Sequence, residues 1–332
     1  MHRPARAAQL VLTLTLALTG LAPVARASEV ADVGIGLGPL DLRNEFVLSL
    51  AHLTLAADSP DLLPPGRFRV AIRGDWAQSI FDEPEAATAV HAETVETALL
   101  LGAGLSDWLE ARIELPFVNR SGGILDPFIY GFETLVGGQS VARRRIGRDD
   151  RFVFEGTTDE GTSFSFRPGT GLEKLRVGLK FRLLETLWSG VALELVTALP
   201  TARRDFGSQG VDGGARLSAG QRLGPLVAYA GASAVILGDD RLEEIRLARW
   251  KGTAFAALEL DVADWVALVA QAWAETASVV NVHHADGLIL YIGGGAKARL
   301  DRYSLEIGLI ENAEDQARSA DITFHAEVGV SF

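Results

Sequence analysis

The last nine residues, Phe324-His-Ala-Glu-Val-Gly-Val-Ser-Phe332, place apolar side chains at every second position and finish on an aromatic. Successive side chains of a strand point to opposite faces. Phe324, Ala326, Val328, Val330 and Phe332 therefore make one apolar row, while Thr323, His325, Glu327 and Ser331 face the other way. Apolar-out, polar-in alternation is the pattern of an outer-membrane barrel strand. Ending on Phe332, it reads as the closing strand, with Phe324, Val328, Val330 and Phe332 as the insertion signal.

The same period recurs upstream. Phe68, Val70, Ile72 and Trp76 alternate with Arg67, Arg69, Arg73 and Asp75; Leu109 to Phe117 alternates with Glu110, Arg112 and Glu114. Leu175 to Leu183 alternates with Lys174, Arg176, Lys180 and Arg182. A soluble sandwich would not set that many charges on a face meant for a partner sheet. Further alternating segments lie near residues 191–199, 215–223, 226–237, 254–262, 266–276, 288–300 and 303–310, each close to the ~9 to 11 residues that a tilted strand needs to cross a bilayer. Tight turns at 105–108, 184–188, 222–225, 262–265 and 300–303 alternate with longer polar loops, as short periplasmic turns and long extracellular loops do in barrels. Four of the turns lead straight into Trp108, Trp188, Trp265 and Tyr303, which reads as an aromatic girdle at one membrane interface.

At the other end, Arg3 and Arg6 precede an apolar run from Ala7 to Leu21 and the small residues Ala25 and Ala27, the pattern of a secretory signal cleaved after Ala27. The run is shorter than the ~20 residues of a spanning helix. Its removal takes three arginines and no acid, so the formal charge moves from -12 to -15. That sign excludes nucleic acid as a natural partner. With no cysteine, thiolate metal sites and disulfides are excluded as well.

Counting back from Phe332 gives about twelve strands beginning near Arg67. Residues 45–56 would make a thirteenth, against the usual even number. Either this stretch lies inside or against the barrel, or Val33-Gly-Ile-Gly-Leu37 adds a fourteenth strand. The longest loop, 119–171, holds Asp126-Pro127, a good helix start. Phe128, Ile129, Phe132, Leu135 and Val136 follow at helical spacing. Residues 151–155 and 162–166 then suggest a hairpin.

The segment Gly122 to Gly137, the early Gly38-Pro-Leu-Asp-Leu-Arg-Asn44, and the ending from Glu311-Asn312 through Ser319 to His325 together resemble one family of unknown function, family 3187, of outer-membrane barrels in Gram-negative bacteria. The resemblance spans nearly the whole exported chain. It implies fold and location and no activity. Where the family pattern pairs Phe with His, this chain has Phe132-Glu133, so no histidine role is carried over.

Catalytic groups are sparse. His52 and Thr54 share a strand face, the minimum for a base-assisted nucleophile, without an evident third group. His283, His284 and Asp286 share a loop, but adjacent residues in extended chain point apart. Neither a nucleophile elbow, a phosphate loop nor a zinc-protease helix occurs. No catalytic residue, metal or cofactor is therefore assigned.

The strongest polar signal is the set of charges opposite the apolar rows: Arg67, Arg69, Arg73, Asp75, Glu96, Glu110, Arg112, Glu114, Lys174, Arg176, Lys180, Arg182, Glu194, Arg216, Glu259, Lys297, Arg299, Glu306 and Glu327. Such mixed rows either pair across strands and fill the interior or wet a selective channel. With residues 109–117 running beside 172–183, Glu110 should meet Arg182 and Glu114 should meet Lys180 or Arg176.

The expectation is an all-β, transmembrane antiparallel β-barrel of about 12–14 strands with short periplasmic turns and one long loop. Its parts are a signal (1–27), an extended segment (28–44) and the barrel (45–332). The expected function is non-enzymatic passage or binding of a small solute. The alternatives are a closed structural or surface-recognition barrel and a lipid-modifying hydrolase. Expected partners are outer-membrane lipid, the outer-membrane assembly machinery and the solute.

Overall fold

Strands that are apolar on one face must still give every backbone N–H and C=O a neighbour, and a closed ring does this without leaving an edge. In the computed structural model, which describes residues 34–83, 88–123, 127, 131, 151–283, 285, 287–313 and 319–332, twelve antiparallel strands close such a ring. They are β1 (Phe68–Glu83), β2 (Thr88–Ser106), β3 (Leu109–Ser121), β4 (Leu175–Glu185), β5 (Ser189–Leu199) and β6 (Asp212–Leu223). The second half is β7 (Leu226–Ile236), β8 (Trp250–Ala263), β9 (Val266–Thr276), β10 (Leu288–Leu300), β11 (Tyr303–Asn312) and β12 (Ile322–Ser331). Each pairs with its neighbour in sequence, and β1 pairs with β12 from Arg69↔Ser331 to Gln78↔Ile322. The expected signal (1–27), most of the expected helix (126–137), His284 and Asp286 lie outside the described residues.

The five tight turns all lie at one end, and Asp301 and Gly224 take the left-handed conformation that such short connections need. The barrel closes at this same end. Phe68 and Phe332 exchange backbone hydrogen bonds of 2.8 and 2.9 Å and stack their rings 6.3 Å apart. Trp108, Trp188, Trp265 and Tyr303 stand exposed just above the turns, with Trp108 stacked on Phe181 at 6.2 Å.

Alternation sorts each strand into two faces. Ile72, Leu99, Ile113, Val177, Leu195, Leu217, Leu258, Ile292, Ile307 and Val328 are exposed on the outer surface. Their neighbours Arg73, Asp75, Glu96, Lys180, Lys251, Glu259 and Glu275 are at most 1% exposed. These charged side chains are thus sealed from water.

The seal is the chain's own N-terminal portion. Residues 34–66 form no strand, so residues 45–56 make no thirteenth strand and Gly34–Leu37 contribute no fourteenth. The barrel begins at Phe68, not at residue 45. Pro39, Pro60, Pro64 and Pro65 lack the N–H that a ladder requires. The segment instead lies inside, with Leu40, Val47, Ala51 and Leu53 fully buried.

At the end opposite the turns, the segment reverses in a turn closed by bonds from Ser49 and Leu50 N–H to the Phe46 carbonyl (2.8 and 3.1 Å). Phe46, Val47, Leu48, Leu53 and Leu55 there join Phe81, Val90, Phe154, Phe164, Phe166, Ile245 and Val279 in one apolar cluster. Phe154 and Phe164 come from the hairpin Val153–Thr157/Ser163–Ser165, which pairs alongside the outer end of β2 at Thr88 to His91. The long loop is shorter than 119–171, because β3 runs through Ser121 and Gly169–Leu172 pairs with its outer part.

Candidate functional site: the occupied lumen

A chain without secondary structure can be buried only if its backbone groups find partners. Here the barrel wall supplies them. Going in from the turn end, the Ile35 carbonyl accepts from Arg222 Nε (2.7 Å), and Leu37 and Gly38 N–H donate to Glu259 (2.7 and 2.8 Å). Leu40 N–H donates to Gln271 (2.9 Å), Asp41 N–H to Glu306 (2.6 Å), and Lys297 donates to the Pro39 carbonyl (2.8 Å). On the returning limb, Leu53 N–H donates to Asp212 (2.9 Å) and Leu63 N–H to Glu110 (2.7 Å). The Ala56 carbonyl accepts from Arg216 (2.6 Å), and those of Ser59 and Asp61 from Lys180 (2.5 and 2.7 Å). The two limbs fill the lumen as a plug.

Plug side chains also complete two charge clusters of the wall. Asp58 lies 2.8 Å from Arg112 and 2.9 Å from both Lys180 and Arg216. Arg112 reaches Glu110 (2.6 Å), and Arg216 bonds Glu194. Three cations thus face three carboxylates, one of them from the plug. Burial works to raise the Asp58 pKa, but the fields of Arg112, Lys180 and Arg216 overcome it and hold the group well below the carboxylate range.

The second cluster centres on Arg73, fully buried on β1. Its guanidinium bonds Asp75 (2.8 Å), Glu96, Glu114 (2.8 Å) and the plug's Asp41 (2.8 Å). The plug's Arg43 forks onto Glu114 (2.8 and 2.9 Å), and Arg176 reaches Glu114 (2.6 Å) and Glu173 (3.3 Å). His325 lies 2.6 Å from Asp75 and 3.1 Å from Glu306, which Lys297 also contacts (2.7 Å). Two smaller pairs, Lys174–Asp212 (2.8 Å) and Lys251–Glu275 (3.1 Å), stand nearer the loop end.

The charges read from the sequence thus fall into three groups. Arg73, Asp75, Glu96, Glu110, Lys174, Arg176, Lys180, Glu194, Arg216, Glu259, Glu306 and Glu327 are buried, with Arg112, Glu114 and Lys297 half-buried beside them. Arg69 pairs with Glu327 but is partly exposed. Arg67, which precedes β1, and Arg299 are exposed near the turns, and Arg182 is partly exposed there.

The pairing of β3 with β4 differs in part from expectation. Glu114 faces Arg176, but Glu110 faces Lys180, not Arg182, which bonds Glu185 (2.5 Å). The chain between these strands is long, so no tight turn fixes their register, and a shift of two residues leaves every side chain on its face. His52 and Thr54 are both buried in the plug; Thr54 accepts from Lys251 (3.0 Å) and His52 contacts the Leu53 carbonyl (3.4 Å). The Lys251 bond ties the plug to β8, the His52 contact is internal to the plug, and neither joins His52 to Thr54.

Asp41, Arg43, Glu45 and Asp58 were missed in the sequence, since nothing in their spacing marks them. The signal was compositional: four prolines and several charges in a stretch otherwise as apolar as a strand.

Among solved structures, the chain is similar to the COG4313 outer membrane channel from Pseudomonas putida F1, at 10% identity and a TM-score of 0.53 over 82% of this chain and 97% of that one. The translocator domain of the autotransporter NalP from Neisseria meningitidis matches at 11% identity and a TM-score of 0.41, over 82% and 90% of the two chains. The P. putida toluene transporter TodX matches at 9% and 0.39, over 81% and 89%. No curated protein matches the sequence. The model of one protein family of unknown function, DUF3187, covers residues 14–332, and the chain belongs to that family.

Proposed function

We propose that the protein is a non-enzymatic outer-membrane barrel that passes a small solute through its charged lumen when residues 34–66 leave it. The exposed apolar rows face lipid, the turn end with its aromatic girdle faces the periplasm, and the bacterial assembly machinery seats the barrel. The P. putida outer membrane channel shares the fold, which agrees with a conduit.

The observation that carries the proposal is how the plug is held. Below its apex, Ile35, Leu40, Leu42 and Ala57 pack on apolar wall residues such as Phe255 and Trp273, and Gly66 N–H bonds the Gly104 carbonyl. Most of its polar groups, however, meet the wall through side-chain hydrogen bonds and ion pairs, with no strand pairing. A wall of Arg, Lys and Glu can exchange each of those bonds for water, whereas an apolar wall could not. Displacement of the plug would leave a wettable, field-bearing pore.

The apolar cluster at the apex and the second one between Ile35, Leu40, Leu42 and the wall favour a second reading, a barrel that stays shut and acts through its outer loops. Osmotic swelling of proteoliposomes separates the two. Deletion of residues 34–62 should make vesicles permeable to small sugars or amino acids, with the wild type slower. Equal impermeability of both, with the barrel still heat-modifiable, would reject the conduit.

A further inference from the structure

The plug's Glu45 is fully buried, yet neither of its carboxylate oxygens meets a donor among the described residues. It points at Asp75 on β1 and Glu96 on β2. One oxygen from each of the three residues lies within 4.8 Å of the others, and Glu96 Oε2 accepts no hydrogen bond, with Arg176 at 4.0 Å. A lone buried carboxylate is costly unless something positive meets it.

The surrounding charge does not supply it. The cluster around Arg73 sets seven carboxylates, Glu45 included, against Arg43, Arg73, Arg176, Lys297 and His325. The buried Arg120 adds its field at Glu173, so with His325 charged one negative charge is left over. A cation held by the three carboxylates would cancel it. Among divalent ions, oxygen-only ligand sets suit hard cations, and two ligands at the ~2.4 Å typical of Ca2+ lie no more than ~4.8 Å apart.

We propose that Glu45, Asp75 and Glu96 form a Ca2+ site that ties the plug to β1 and β2. Two ligands come from the wall and one from the plug. The ion therefore binds only when the plug is seated, and it stabilises the seated state by mass action. The site requires the plug to lie in the lumen and does not depend on whether it ever leaves.

The test is equilibrium dialysis of the folded, detergent-solubilised protein against radiolabelled Ca2+ after treatment with a chelating resin. One ion per chain is expected. Glu45→Gln should weaken binding by about 10²-fold or more, since it takes the plug's negative charge out of the site and leaves only a neutral carbonyl oxygen, while Asp205→Asn in an exposed loop should bind normally. A second measurement needs no variant: the wild type should unfold at a higher temperature in millimolar Ca2+ than in EDTA. The proposal is overturned if the wild type retains no ion and its unfolding ignores Ca2+. Equal binding by Glu45→Gln and wild type also overturns it. The first of these results would mean that protons, not a metal, neutralise Glu45.

Discussion

Asp58→Ala puts the hold of the plug to a quantitative test. In the wild type, Asp58, Glu110 and Glu194 balance Arg112, Lys180 and Arg216. The substitution leaves one positive charge uncompensated among buried side chains. Removing one partner of a buried ion pair typically costs about 3–5 kcal/mol. The barrel ladder does not involve Asp58, so that cost falls on the seated plug and shifts its equilibrium toward release by a factor of roughly 10² to 10⁴. Single-channel recording in planar bilayers reads this directly, as a rise of that order in the fraction of time spent open. The reasoning is refuted if Asp58→Ala folds into the membrane and remains as closed as the wild type.

The same carboxylate sets a pH dependence. Its pKa is lowered in the seated state, so its stabilisation is complete above the unfolded value of ~3.9 and is lost only as pH falls through the seated value; openings should not change in frequency through Asp58 between neutral and mildly acidic pH. Val177→Arg, on the outer apolar face, should destabilise the barrel by about 2–4 kcal/mol if it sits near the bilayer midplane, measured by urea titration in lipid vesicles. Lys180→Ala should leave the barrel folded but release the plug, because Lys180 holds Asp58 and two plug carbonyls; a cost to barrel folding equal to that of Val177→Arg would contradict the face assignment. Deleting Phe332 removes the bonds and ring contact that close β1 on β12, and heat-modifiable protein in the membrane fraction should fall; wild-type amounts would argue against it.

The ring was legible because its determinants are local. Period-two alternation in β3 or β12, the short turns and the aromatics after them each need only a few residues of context. Register across β3 and β4, which no tight turn fixes, was not legible: Glu110 meets Lys180, two residues from the expected Arg182. The plug was half legible: the odd strand count raised the alternative that residues 45–56 lie inside or against the barrel, but their apolar positions from Phe46 to Leu55 look equally like a strand. What distinguishes them is a set of partners, from Gln271 to Asp212, that are near only once the barrel has closed. For the same reason the sequence shows a charged lumen wall without showing what fills it.

The claim that residues 34–66 occupy the lumen is tested most directly by thiol labelling, for which the absence of native cysteine makes any introduced site unique. Leu40→Cys, buried between plug and wall, should resist a water-soluble maleimide in the folded protein and react fully once the barrel is heat-unfolded, whereas Asp205→Cys on an exposed loop should react at once. Rapid labelling of Leu40→Cys in the folded, membrane-inserted barrel would contradict the occupied lumen.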